Sequence, residues 1–211
     1  GSWGSTLALA YAIKHTAHVS GLILRGIFLS RPNELNWFLG EVKTFYPEPW
    51  QKLCESVPKH LKDNPLVYYK ELIFSDDETV AIPAAIRWNT FEGSIMTLLP
   101  RTNASNEDSV NGQVELARAR VQIHYIENNC FIGDQDLIAD AKNRLPHIPT
   151  VIVQGRYDMV CPPITAWELG QAMPHAEFHM IDDAGHSAME SGTTSALVAA
   201  TEKFKHTLPS K

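Results

Sequence analysis

Short apolar runs rich in β-branched residues most constrain the fold of this chain, because they alternate with helical patterns. Such runs predict buried strands, and they lie at residues 19–28, 149–155 and 177–181. Segments with helical character flank them, at residues 6–13, 163–173 and 195–208. Strands that alternate with helices in this way predict an α/β fold built on a parallel sheet.

The middle of the chain has a different sequence pattern. Between about residues 31 and 145, prolines and aromatic residues are frequent, and no strong strand alternation is present. Helical periodicity is clearest at 66–74, 79–91 and 114–127, and the polar stretch 102–112 predicts a loop. The pattern predicts an α/β core at 1–30 and 146–211, interrupted by an all-helical insertion at 31–145.

The first residues predict a tight turn that leads directly into a buried helix. Gly1, Ser2, Trp3 and Gly4 precede a run of small and apolar residues. A strand normally comes before such a turn, so we expect this sequence to be the C-terminal part of a longer protein. Gly-Ser at a chain start is also a common expression remnant, and this alternative stays open.

Composition excludes several classes of function. The net charge of −6 does not supply the basic surface that drives non-specific nucleic-acid binding. No apolar run approaches the roughly 18 residues of a membrane span. The three cysteines are far apart and odd in number, so we expect reduced thiols and a cytoplasmic protein. No motif indicates a metal or another cofactor, and the oligomeric state is left open.

Three side chains with hydrolytic chemistry lie where turns or predicted strands end. Ser2 lies in the first turn, Asp158 follows the strand at 149–155, and His186 follows the strand at 177–181. Functional groups collect at the carboxyl ends of strands in open α/β sheets. The order serine, aspartate, histidine is the chain order of the α/β-hydrolase triad.

These residue types suit nucleophilic catalysis. A serine hydroxyl needs a base to remove its proton, and histidine has a pKa near neutral pH. A carboxylate fixes the imidazole tautomer and stabilises the imidazolium. The N–H of Trp3, which directly follows Ser2, is expected to donate to the oxyanion. Taken singly, Asp158 could be a helix N-cap and His186 a structural loop residue.

The motifs extend beyond the three residues. They are Gly-Ser-Trp-Gly-Ser-Thr-Leu-Ala-Leu-Ala-Tyr-Ala at 1–12, Leu-Arg-Gly-Ile-Phe at 24–28, Trp-Asn-Thr-Phe-Glu-Gly-Ser at 88–94, Thr-Leu-Leu-Pro at 97–100, Val-Ile-Val-Gln-Gly-Arg-Tyr-Asp at 151–158, Cys-Pro-Pro at 161–163 and Asp-Ala-Gly-His-Ser-Ala at 183–188. In these segments the sequence resembles the proline iminopeptidases, the prolyl aminopeptidases of the α/β-hydrolase superfamily. The resemblance implies that Ser2, Asp158 and His186 are nucleophile, orienting acid and base. It also implies a helical cap and the release of N-terminal proline from peptides.

The resemblance also exposes two departures. The family has an N-terminal region with a His-Gly-Gly-Pro segment that completes the oxyanion hole, so we expect the α/β core here to lack its N-terminal strands. The family's cap holds the substrate's amino group with two glutamates. Glu92 matches one, whereas Gln122 occupies the position of the other. A neutral amide predicts weaker amine recognition or altered specificity, with Glu127 a candidate substitute.

Substrate recognition can also be argued from the residues alone. An exopeptidase must distinguish a terminal ammonium from an internal amide, and a buried carboxylate such as Glu92 would do so; an ordinary helix-surface glutamate is the alternative. Aromatic residues could wall a pocket for the proline ring or could simply fill the core of the insertion: Phe28, Trp37, Trp88 and Phe91.

The sequence therefore predicts a serine aminopeptidase that acts on peptides with an N-terminal proline, through an acyl-enzyme and without a cofactor. Two alternatives stay open. One is a capped α/β-hydrolase with esterase or amidase activity of another specificity. The other is a non-catalytic fragment or binding module whose triad is vestigial.

Overall fold

The computed structural model describes residues 1–100 and 110–207. Within them lie three strands: β1 (Leu22–Arg25), β2 (Thr150–Gly155) and β3 (Glu177–Ile181). The α-helices of the same residues are α1 (Trp3–Lys14), α2 (Pro32–Leu39), α3 (Pro47–Cys54), α4 (Pro65–Ile73), α5 (Glu78–Ser94), α6 (Gly112–Glu127), α7 (Leu137–Arg144), α8 (Pro163–Ala172) and α9 (Ser191–Thr207). Short 3₁₀ turns lie at Thr16–His18, Glu41–Thr44, Lys59–Leu61 and Asn129–Phe131.

The strands form a parallel sheet in the order β1-β2-β3. Leu22 pairs with Thr150 at one side of β2, and Val151 pairs with Glu177 at the other. Every residue of β2 is buried, because strands lie on both sides of it and helices cover both faces. This explains the apolar residues at the centre of the run at 149–155 and confirms the predicted α/β class with a parallel sheet.

Side chains that alternate along the strands divide the core into two layers. On one face of the sheet, Leu24 and Ile152 pack with apolar residues of α1, α7 and α8. On the other face, Val151 and Val153 pack with Ala200 of α9. Helices thus cover both faces of the sheet. Because the three strands are parallel, their carboxyl ends lie at the same edge.

The chain divides into two compact units. The sheet unit contains Gly1–Glu34, Met96–Leu98 and the described residues from Ile132 onward, and the helical unit contains Leu35–Ile95 and the described residues between Leu99 and Phe131. The predicted insertion, 31–145, begins before Leu35 and extends beyond Phe131. The larger difference is at its C-terminal end. The difference arises because α7 buries Leu137 and Ala141 in the same apolar cluster as the sheet.

The helical unit is held together by aromatic rings. All its described elements are helical, and α4, α5 and α6 confirm the helices predicted at 66–74, 79–91 and 114–127. Trp88 and Phe91 of α5 pack edge-on or tilted against the rings of Phe38, Trp50 and Tyr69. Most of the loop predicted at 102–112 lies outside the described residues. None of the helices in the described ranges is long and apolar enough to cross a membrane.

Candidate active site

Ser2 lies directly before α1 and beside the carboxyl end of β1. Its φ of 55° and ψ of −134° are rare for a residue with a side chain. Its N–H donates to the carbonyls of Arg25 and Gly26, both at 3.0 Å, and it forms an isolated parallel bridge with Ile27. A serine with this rare backbone conformation, at the start of a helix and beside the end of a strand, resembles the local geometry of a hydrolase nucleophile.

The first turn of α1 is tied to the segment that follows β1. The hydroxyl of Ser5 donates to the carbonyl of Ser2 at 2.6 Å and accepts from the N–H of Phe28 at 3.0 Å. The hydroxyl of Thr6 donates to the carbonyl of Phe28 at 2.6 Å. Both hydroxyls are buried. These contacts hold the strained backbone at Ser2 in place.

Asp158 and His186 meet in a buried pair. The Asp158 Oδ2 and His186 Nδ1 atoms are 2.7 Å apart, and the two residues are 1% and 2% exposed. The other carboxylate oxygen of Asp158 accepts from the N–H of Val160 at 3.0 Å and of Cys161 at 2.7 Å. The carboxylate is thus fixed on both sides, and the imidazole is held through its Nδ1 atom.

Gln154 is a contributor that the sequence did not single out. It is fully buried in β2, and its amide Nε2 donates to Asp158 Oδ2 at 3.1 Å and to the carbonyl of Cys161 at 3.1 Å. Its Oε1 accepts from the N–H of Ile27 at 3.0 Å. The Gln154 side chain therefore links the segment after β1 to Asp158 and to the loop that follows Asp158. The sequence signal that could have identified Gln154 is a single polar side chain at the end of an apolar strand.

Gly26 is a second residue that sequence reasoning missed. Its φ is +53°, and a Cβ atom there would lie 2.9 Å from His186 Cε1 and 3.3 Å from Asp158 Oδ2. Its carbonyl accepts from the N–H of Ser2. Only glycine combines this backbone conformation with so close an approach. Ser2 and the histidine–aspartate pair therefore lie around one glycine.

The loop that carries His186 is anchored by its own backbone. The His186 carbonyl accepts from Arg25 Nη1 at 2.6 Å, and the N–H groups of His186 and Ser187 both donate to the carbonyl of Met96 at 2.9 Å. The Glu190 carboxylate accepts from the N–H of Gly185 at 2.9 Å and of Leu98 at 2.8 Å. These contacts explain why Met96–Leu98 belongs to the sheet unit.

The Ser2 hydroxyl contacts a thiol in this structure. Its Oγ atom lies 3.8 Å from Cys161 Sγ, and the described contacts contain no hydrogen bond from Ser2 Oγ to the His186 ring. Burial, and next the Asp158 charge, raise the pKa of the Cys161 thiol well above its usual range. The thiol therefore stays protonated at neutral pH and is a weak hydrogen-bond partner for the serine.

Glu92 and Gln122 lie together in the helical unit. Gln122 Nε2 donates to Glu92 Oε1 at 2.8 Å, and Arg118 Nη2 donates to Glu92 Oε2 at 2.7 Å. Trp88 Nε1 donates to Gln122 Oε1 at 2.5 Å. Glu127, the candidate substitute, is instead paired with Lys70 at 2.7 Å. Both Glu92 oxygens are therefore already engaged.

The four aromatic residues proposed for the proline pocket differ in how deeply they are buried. Trp88 and Phe91 are 2% and 4% exposed and belong to the core of the helical unit, which is the packing role that the sequence left open. Trp37 and Phe28 are half-buried and lie in the helical and sheet units respectively. Trp3 is the first residue of α1, directly after Ser2.

The sheet, the strained serine turn and the buried aspartate–histidine pair are features of a hydrolase fold, and comparison with known proteins agrees. Residues 77–193 match the family model described as "alpha/beta hydrolase fold". This match covers more than half of the chain, so the chain belongs to that family.

The chain is also similar to curated proline iminopeptidases. It is 43% identical over 209 residues to that of Arabidopsis thaliana, which covers 97% of this chain and 54% of the relative. It is 41% identical to that of Neisseria gonorrhoeae, which covers 96% of this chain and 64% of the relative. The chain thus spans between about half and two thirds of the length of these relatives.

Solved structures support the fold. An alpha/beta hydrolase enzyme from a Medee basin deep-sea metagenome library matches all of this chain and 65% of its own, with a TM-score of 0.53 and 16% identity. An alpha/beta fold family hydrolase from Bacillus anthracis matches 95% of this chain and 61% of its own, with a TM-score of 0.50 and 18% identity. At such identities the likeness concerns the fold alone.

Proposed function

We propose that this chain carries the catalytic residues of a serine aminopeptidase that releases N-terminal proline from peptides. The buried 2.7 Å pair of Asp158 and His186, adjacent to a strained serine turn, carries the proposal. The similarity to proline iminopeptidases supports the prolyl specificity.

In the proposed reaction, Ser2 Oγ attacks the carbonyl carbon of the N-terminal prolyl residue. His186 Nε2 takes the hydroxyl proton, while Asp158 holds the Nδ1–H and stabilises the imidazolium. The imidazolium then gives its proton to the leaving amine, and the C–N bond breaks to leave a prolyl ester on Ser2. Water, deprotonated by His186, hydrolyses that ester and restores the serine. To begin, Ser2 Oγ must turn from Cys161 towards the imidazole.

Charge that develops on the carbonyl oxygen requires donors. The Trp3 N–H at the first residue of α1 is the proposed oxyanion donor, because the N-terminus of a helix favours negative charge. The chemistry as proposed uses protein groups and water, and it requires no metal or cofactor.

Recognition of the substrate is assigned to other side chains. We propose Glu92 as the charge that recognises the terminal ammonium, with Gln122 beside it as the neutral partner. Phe28 and Trp37, which are half-buried, are proposed to contact the proline ring. Trp88 and Phe91, the other two aromatic candidates, pack against Phe38 in the core of the helical unit. We also propose a cytoplasmic location, in keeping with three buried cysteines that form no disulfide within the described residues.

A second candidate is an esterase or amidase with another acyl specificity. The observation that favours it is the Arg118–Glu92 ion pair at 2.7 Å, since a paired carboxylate attracts an ammonium less strongly. Hydrolysis of a prolyl arylamide, compared with hydrolysis of a short-chain aryl ester, separates the two candidates.

The test of the nucleophile is Ser2→Ala in the full-length protein. We expect loss of at least about a thousandfold in kcat for the prolyl arylamide, because the nucleophile of the acyl-enzyme is removed. A fluorophosphonate probe should label Ser2 in the wild type and should not label the variant. Ser195→Ala, at an exposed position of α9, is the matched control and should keep both activity and labelling.

The outcomes separate the hypotheses. Labelling of Ser2 together with ester hydrolysis and no arylamide hydrolysis would favour the second candidate. A wild-type protein that neither takes the probe nor hydrolyses either substrate would favour the non-catalytic alternative and rule out a serine hydrolase.

A further inference from the structure

Glu92 is a buried carboxylate with two different partners. Its side chain is 11% exposed, and its oxygens accept from Arg118 at 2.7 Å and from Gln122 at 2.8 Å. The formal charge of the three groups is zero, because the guanidinium cancels the carboxylate and the amide is neutral. A ligand ammonium that binds Glu92 therefore has to compete with a cation already in place.

The orientation of Gln122 is fixed by Trp88. An indole N–H can only donate, so the Gln122 atom that lies 2.5 Å from Trp88 Nε1 is the amide oxygen. The amide nitrogen consequently points to Glu92 and offers a donor there. Gln122 thus reinforces the carboxylate geometry and leaves Arg118 as the only charged partner of Glu92 in the described part of the chain.

The two members of the ion pair differ in their freedom to move. The Arg118 side chain is 50% exposed, whereas that of Glu92 is 11% exposed. A half-exposed arginine can exchange its carboxylate partner for water at small cost, whereas a buried carboxylate left without a partner is costly. Arg118 is therefore the member that leaves when another cation approaches, and Glu92 is the member that stays.

We propose that Arg118 competes with the substrate's terminal ammonium for Glu92 and so sets the KM of this enzyme for substrates with a free amino group. The inference rests on the proposed function, in which Glu92 recognises that ammonium. In the free enzyme the guanidinium holds the carboxylate in position, and on binding the ammonium replaces it. Arg118 is a specificity-determining residue in this account and takes no part in proton transfer.

The test is Arg118→Met in the full-length protein, with Arg118→Lys as the conservative variant. Methionine keeps the aliphatic length and removes the charge. The KM for a prolyl arylamide should then fall by about two- to fivefold, the range expected when the arginine of an ion pair is half exposed. The kcat should not change, because the reacting atoms are untouched. Arg118→Lys restores a cation and should return KM towards the wild-type value.

Two controls isolate the ammonium. Arg87→Met removes another exposed arginine of the helical unit, one that donates to Ser56 at 2.9 Å and not to Glu92, and it should leave KM unchanged. A short-chain aryl ester has no ammonium, so the ratio of the arylamide KM to the ester KM should fall only in Arg118→Met. A circular dichroism spectrum like that of the wild type shows that the variant is folded.

Each outcome of the KM measurements supports or contradicts the proposed competition. A lower arylamide KM in Arg118→Met, or arylamide hydrolysis gained by the variant where the wild type has none, supports the competition. An unchanged or higher KM in a folded variant of a wild type that cleaves the arylamide overturns it and leaves the proposed function intact. Ester hydrolysis without arylamide hydrolysis in both proteins overturns the inference and the prolyl specificity together.

Discussion

At the scale of single residues, the candidate site depends on two positions with no reactive group. The Gln154 amide hydrogen-bonds to Asp158 and to the backbone of Ile27, Gly155 and Cys161. Gly26 leaves the space in which the His186 ring lies. Neither takes part in the proposed proton transfers. Together they determine where the acid and the base can lie relative to Ser2.

Gly26→Ala should therefore damage both stability and activity. A non-glycine residue at positive φ costs about 1–2 kcal/mol, and the added Cβ, 2.9 Å from His186 Cε1, would displace the ring. We expect a lower free energy of unfolding in urea and a lower kcat. Gly93→Ala is the control, since a Cβ there meets nothing within 4 Å and alanine should stabilise α5 by roughly 0.5–1 kcal/mol. Equal stabilities of Gly26→Ala and the wild type would contradict the assigned role.

At the scale of elements, the central strand and the caps of the helices organise the sheet unit. β2 brings Gln154 and the loop of Asp158 to the edge of the sheet, and α7 closes the core beneath α1 and α8. The N-terminus of α7 is capped by Asp136, whose side chain accepts from the N–H groups of Ile138 and Ala139, both at 3.1 Å.

Asp136→Ala should lower the free energy of unfolding by about 0.5–2 kcal/mol, because two N–H groups of the first helical turn lose their acceptor. Chemical denaturation followed by circular dichroism measures the change. Asp134→Ala removes a nearby exposed carboxylate that does not cap the helix, so it should change stability by less than about 0.5 kcal/mol. If both variants are equally destabilised, the loss of a negative charge explains the lower stability, and the capping hydrogen bonds of Asp136 do not.

At the scale of the whole molecule, the two units carry their own buried thiols. Cys54 and Cys130 lie in the helical unit and Cys161 lies in the sheet unit. All three are buried cysteines outside any disulfide of the described residues, so each thiol reports on the unit that contains it.

In the native protein, all three thiols should react with an aromatic disulfide reagent far more slowly than in denatured protein. Reaction along a urea titration, resolved by mass spectrometry of the labelled peptides, should show when each unit opens. Cys54 and Cys130 should become reactive together. Rapid labelling of Cys161 in native protein would contradict its burial.

The Cys161 thiol also predicts a pH dependence. Burial raises its pKa in the folded state above that of the unfolded chain, so the folded state holds the proton more tightly. The stability that depends on the neutral thiol is complete below the unfolded pKa of about 8.5 and is lost as pH rises above it. The free energy of unfolding should fall above that pH, and Cys161→Ala should flatten the fall. A slope unaffected by the substitution would contradict this account.

The pattern of residues determined the elements and their class. Short apolar runs predicted the three strands of the described residues, and β3 was predicted at its observed bounds, because strand and helix periodicity are local properties. The spacing of reactive residues at strand ends predicted that Asp158 and His186 would meet, since the carboxyl ends of parallel strands share one edge.

Only the tertiary structure decided which distant groups are partners. It turned Ser2 Oγ towards Cys161, assigned Arg118 to Glu92, paired Glu127 with Lys70 and packed α7 against the sheet. The type of a residue determines its chemistry, and its spacing in the sequence indicates which face of a helix or strand it occupies. Its partner depends on packing between segments far apart in the chain, and no local pattern encodes that.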